Sequence, residues 1–114
     1  MTDFTCHLWT KTDLTREDLQ NSLEDVKSYQ DESHLLRALK KCKICGQLFF
    51  YEFLEEVDWV NGNDPQYQTW VPVADEQNAD QINALNYLEI HKFPRIIYDW
   101  PGNLENPPLP KKVN

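Results

Sequence analysis

A chain of 114 residues, 40% hydrophobic and 12% aromatic, is long enough for one hydrophobic core and too short for two. Nineteen acidic side chains against eleven basic ones leave a formal charge of −8, which opposes the counterion release that draws proteins onto phosphate backbones, so no direct nucleic-acid partner is expected. Three cysteines, the lack of a basic and apolar leader, and apolar runs well short of the roughly 18 residues of a membrane span predict a cytoplasmic protein, with neither a secreted disulfide framework nor a membrane partner.

The first element is a short strand, because Phe4, Cys6 and Leu8 alternate with Thr5, His7 and Trp9. A helix start follows. Thr15 can cap the free amides, Glu17 and Asp18 sit in the positive first turn, and Leu14 can staple onto Leu19. Leu19, Leu23 and Val26 then make one apolar stripe, which the polar patch from Ser28 to Ser33 interrupts. Leu35, Leu36 and Leu39 resume the stripe, and Lys40 and Lys41 supply the cations that a helix C-terminus favours. The expectation is two N-terminal helices within about 15–41.

Cys42 and Cys45 come next, with Gly46 directly after them. In this arrangement a tight turn aims both sulfurs at one point, and glycine takes a backbone conformation that side chains disfavour. Residues 42–46 resemble half of a zinc-ribbon or rubredoxin-type knuckle, over those five residues only. The resemblance implies zinc held by Cys42 and Cys45, and a tetrahedral site needs two further ligands. No second CxxC is present, so Cys6, His7 and His34 are the alternatives for completing the site. The plainer reading is two unliganded cysteines in a turn beneath the core. A thioredoxin-like role fits less well, because that motif follows a strand and opens a helix, whereas here a helix is expected before it and a strand after it.

The knuckle leads into a long β-hairpin, about residues 47–73. Phe49, Tyr51, Phe53, Val57 and Trp59 share one face, and Leu48, Phe50, Glu52, Leu54, Glu56 and Asp58 share the other. Glu55 falls on the aromatic face, which predicts either a bulge near Glu55 and Glu56 or a carboxylate held among apolar groups. Asn61 to Pro65 form the loop, and Tyr67, Thr69 and Val71 alternate with Gln68 and Trp70 on the return strand. A third helix is expected over about 78–91, opened by Asn78 with Gln81 and striped by Ile82, Leu85 and Leu88. His91 and Lys92 lie at its end as helix-terminal cations. Arg95 to Trp100 is a β-prone run closed by Pro101 and Gly102. Residues 1–102 then form one globular domain and 103–114 a proline-rich, loosely ordered tail.

The fold class is therefore α+β: a small antiparallel sheet centred on the hairpin, packed by two N-terminal helices and one later helix, with a short strand near 95–100. No Gly-rich phosphate loop, HExxH, GxSxG or EF-hand loop appears, and no catalytic residue is assigned. The functional expectation is a small protein-interaction or adaptor domain stabilised by zinc at the knuckle. Its protein partner would meet Trp59, Tyr67 and Trp70 together with Glu52, Glu56, Asp58 and Asp64. An acidic inhibitor or immunity-type protein that binds a basic partner such as a nuclease is the first alternative. A small thiol-dependent or hydrolytic enzyme is the second.

Overall fold

The computed structural model describes residues 6–56, 59–60, 65–100 and 109–113, apart from the side chain of Trp100. Its described elements run α1 (His7–Thr10), α2 (Arg16–Ser22), β1 (Leu23–Glu32), β2 (Leu35–Cys42), β3 (Leu48–Glu55), β4 (Gln66–Val73), α3 (Glu76–Asn83), α4 (Tyr87–Ile90), β5 (Arg95–Trp100) and β6 (Lys111–Val113). The strands form one antiparallel sheet in the order β1-β2-β3-β4-β5-β6. None of the described helices is long and apolar enough to cross a membrane.

The hairpin forms as its alternation predicts, and its parity organises the molecule. Phe49 and Phe50 are neighbours in β3, so they point to opposite faces, and both are fully buried. Phe49 packs with Trp70, Cys42, Ile96 and Tyr98 beneath Leu8, Leu14 and Leu19 of the N-terminal segment. On the other face, Phe50 packs with Leu39, Val71 and Val73 beneath Ala79, Ile82 and Ile90 of α3 and α4. The sheet thus lies between two helical layers, which explains how so acidic a chain still buries two apolar faces.

The N-terminal part departs from expectation in three places. Residues 7–10 form a helical turn and not a strand: the amides of Trp9 and Thr10 both bond to the Cys6 carbonyl, at 2.9 and 3.1 Å, and the turn sinks Leu8 into the core. α2 starts as predicted, with Thr15 and Asp18 bonding reciprocally in a capping box, but it stops at Ser22. The expected second helix is strand β2, which pairs with β1 on one side and β3 on the other. Pairing on both edges overrides the helix propensity of its Leu, Ala, Lys and Arg residues. Two features disguised the strands. Register shifts at Asp25/Lys27 and Ser28/Gln30 break the period of two in β1, and Arg37 is a charged residue in the middle of β2 that points inward. The same bulges, with the exposed charges of β1, protect this sheet edge from pairing with other chains.

The later helix is also divided. Asp75 caps α3 by accepting from the Asn78 amide at 2.8 Å, and Asn86 opens α4 in a second capping box with Glu89. Asn78, expected as a cap, instead accepts from the Ala74 amide. Between the two helices, the Arg37 guanidinium donates to the carbonyls of Asn83 and Leu85, satisfying the C-terminus of α3 from the sheet side. Glu55 is not at a bulge. The β3–β4 register is continuous through Glu55 and Gln66, and its carboxylate accepts from Gln66 Nε2 at 3.0 Å and bonds His34 Nδ1 at 2.9 Å. β5 lies where predicted, and Lys111–Val113 pair with it as β6.

Candidate metal centre

The knuckle is the link between β2 and β3. Its turn is closed by Gly46 N–H donating to the Cys42 carbonyl at 2.9 Å and Cys42 N–H donating to the Gln47 carbonyl at 2.8 Å. Gly46 has φ of +83°, and a Cβ there would meet nothing nearer than Lys41 Cε at 3.9 Å. The space is free, so the demand for glycine is a backbone demand. Gly46→Ala is expected to cost about 1–2 kcal/mol in urea unfolding, from the left-handed conformation alone.

Two cysteines of the cluster are sealed inside. Cys42 is 1% exposed and Cys6 is 2% exposed, while Cys45 lies at the surface. Burial of Leu8 draws α1 onto the sheet and carries Cys6 and His7 to the end of β2. There His7 Nδ1 lies 3.8 Å from Cys42 Sγ, and the ligand atoms of Cys6, His7 and Cys42 are all within 4.8 Å of one another. Zinc bonds of about 2.3 Å to sulfur and 2.1 Å to nitrogen, at the tetrahedral angle, hold ligand atoms about 3.5–3.8 Å apart. A small inward movement would therefore close the cluster on an ion. Cys45 lies in the same turn but at the surface and outside this three-residue group, and it is the remaining thiol that could turn inward as a fourth donor.

The electrostatics of the sulfurs differ. Burial alone would push the Cys42 thiol up, but the backbone N–H groups of Cys45 and Ile44 and the thiols of Cys45 and Cys6 aim at its sulfur and hold it below the ordinary thiol value. Burial dominates at Cys6, whose thiol is pushed up to about 12 against the opposing pull of the Leu8 amide. Cys42 is thus the sulfur prepared for negative charge, and a metal ion would displace the proton of Cys6 on binding.

The remaining sequence-predicted residues are placed elsewhere. His34 sits in the β1–β2 turn against Glu55, at the opposite end of β2 from Cys42, roughly 26 Å away along the strand. It takes no part in the cluster. Trp70, expected as a surface anchor, is 4% exposed in the core, its ring tilted at 5.3 Å against that of the partly buried Tyr51. Glu52, expected on an open acidic face, is 1% exposed beneath α3. Parity assigned both residues to the correct faces, but each face acquires a helical cover that alternation cannot show. Tyr67 is half-buried, Glu56 is exposed, and Trp59 is 90% exposed; Val57, Asp58 and Asp64 lie outside the described residues. His91 packs edge-on against the Tyr87 ring at 4.0 Å, on the far side of the fold.

Arg37 went unnoticed in the sequence. It stands opposite Glu52 across β2 and β3, and its Nε donates to Glu52 Oε2 at 2.8 Å, while the other carboxylate oxygen has no partner among the described residues. The available signal was Glu52 itself: a carboxylate between Phe50 and Leu54 on an apolar face needs a buried cation. Beside these elements, a groove of about 340 Å³ opens over β1 and β2 along Val26, Leu36, Ala38 and Tyr51, on sheet surface that α2 does not reach.

Comparison with known proteins yields no match: no family model, no curated protein and no solved structure is significantly similar to the chain.

Proposed function

We propose that this chain is a small cytoplasmic protein-interaction domain stapled by one zinc ion on Cys6, His7, Cys42 and Cys45. The observation that carries the metal assignment is the convergence of the Cys6, His7 and Cys42 ligand atoms within 4.8 Å from two distant parts of the chain. Three sulfurs and one imidazole nitrogen are a soft, four-donor set suited to tetrahedral zinc, and four protein donors leave no open position, which makes the ion structural. It would tie the N-terminal turn to the knuckle and hold α1 on the sheet.

The interaction role rests on the surfaces left open. The groove sets Val26, Leu36, Ala38 and Tyr51 among charged residues such as Asp25, Asp31 and Lys40, a mixed surface for a protein partner, and Trp59 offers an exposed aromatic. A second reading has one observation in its favour. Glu24, Asp31 and Glu32 stand exposed along β1, and a net charge of −8 would steer a basic partner towards an acidic inhibitor.

Metal analysis of chain purified without added zinc tests the first half. Close to one zinc per chain is expected, with a melting temperature that falls when a chelator is added. Metal in fewer than a tenth of chains, with an unchanged melting temperature, removes zinc from the proposal. Pull-down from the native host at low and moderate salt separates the two partner readings: a basic partner released by salt supports the inhibitor, and a salt-resistant partner supports the interaction domain.

A further inference from the structure

We infer that the cysteine cluster is also an oxidation site, at which a hydroperoxide joins Cys42 to Cys45 and expels the metal; this deepens the zinc reading above and rests on it. Of the three sulfurs, only that of Cys45 lies at the surface, so it is the one an oxidant reaches first. Cys6 and Cys42 are closed off behind it. Cys45 follows Cys42 by three residues, and the turn closed by Gly46 N–H on the Cys42 carbonyl at 2.9 Å holds the two residues on one backbone loop. A sulfenic acid formed at Cys45 therefore meets a partner sulfur within its own turn, before any thiol from solution.

The chemistry balances with hydrogen peroxide as the oxidant. The Cys45 thiolate attacks one peroxide oxygen, the O–O bond breaks, and the departing hydroxide takes a proton to become water. The Cys42 thiolate then attacks the sulfenic sulfur, an S–S bond forms, and the displaced hydroxide takes a second proton. In sum, two thiolates, one peroxide and two protons give one disulfide and two waters. The sulfurs lose two electrons and the peroxide gains them. Zinc keeps its oxidation state throughout and is left with Cys6 and His7 alone, too few donors to retain it. Its departure unties α1 from the knuckle, so the device would loosen the N-terminal layer under oxidative conditions.

The test uses the zinc-loaded full chain, treated with a small excess of hydrogen peroxide and followed with a chromogenic zinc indicator, intact mass and peptide mapping. The expected result is release of the bound zinc together with loss of two hydrogens, and a disulfide mapped between Cys42 and Cys45. Cys45→His, which keeps a ligand but removes the exposed sulfur, should still hold zinc and release it at least about tenfold more slowly. Zinc retained with an unchanged mass overturns the inference, as does a disulfide that maps to Cys6. Release from Cys45→His at the native rate also overturns it. If the native chain takes up no zinc, the zinc reading alone has failed, and the peptide map of peroxide-treated chain still decides whether Cys42 and Cys45 join.

Discussion

Cys42→Ser is expected to abolish stoichiometric zinc binding and to lower the melting temperature by roughly 10–20 °C, the largest effect of any single substitution at the cluster. Two losses combine. The first is the metal: at a free zinc concentration about a thousandfold above the dissociation constant, binding contributes about 4 kcal/mol to the folded state. The second is local, because Cys42 is only 1% exposed in the core cluster with Leu19, Leu23 and Phe49. A shorter and harder hydroxyl suits neither that apolar setting nor the ion as well. For a domain of this size, about 1 kcal/mol corresponds to roughly 4 °C, which sets the scale. His34→Ala is the control. His34 is paired with Glu55 far from the knuckle, so zinc content should stay at the native level. Native zinc content in Cys42→Ser, or its loss in His34→Ala, would show that the ligand set is wrong.

Arg37→Ala is expected to destabilise the fold by about 3–5 kcal/mol in urea unfolding, the range seen when one member of a buried ion pair is removed. It strands the Glu52 carboxylate, whose Oε1 already lacks a partner among the described residues, and takes the donor from the carbonyls of Asn83 and Leu85. The double variant Arg37→Met with Glu52→Leu removes both charges at similar volume. It should recover most of the loss, to within about 1–2 kcal/mol of the native chain, the remainder being the two carbonyls. A double variant as unstable as Arg37→Ala would place the cost in packing and not in the stranded charge.

The same pair produces a pH signature. Burial raises the Glu52 carboxyl above its ordinary value of 4.5, against the pull of Arg37. The folded chain therefore holds this proton when the unfolded chain has released it. The contribution of Glu52 is fully present below the ordinary carboxylate value and is lost as pH rises through the raised folded value. Native stability minus that of Glu52→Gln should accordingly decline with rising pH from about 4.5 upward. A difference that grows with pH over that window would mean that the Arg37 interaction outweighs burial.

Much of the fold is legible from residues alone, where one physical cause acts at short range. The alternation of Leu48–Glu55 and Gln66–Val73 marks the hairpin, because its two faces are both buried by the same period of two. Thr15 and Asp18 mark the start of α2, since a capping box is a contact three residues long. The spacing of Cys42, Cys45 and Gly46 marks the knuckle, a turn whose geometry is local. What lies beyond that reach is settled by contacts distant in sequence. β2 looks helical until β1 and β3 pair with it, because Arg37 occupies an inward position that only Glu52, fifteen residues later, makes tolerable. Trp70 and Glu52 look available until helices cover their faces.

The metal cluster divides along the same line. Residue types and spacing within one turn pointed to Cys42 and Cys45, with Cys6, His7 and His34 as the choices for the rest. Tertiary structure brings Cys6 and His7 beside Cys42, and leaves His34 apart and Cys45 at the surface. Burial of Leu8 brings Cys6 and His7 down onto the end of β2, and the strand conformation of residues 35–42 carries His34 to the other end. The physical reason is that a turn is specified by its own backbone, whereas the meeting of residues 7 and 42 is specified by the core that forms between them.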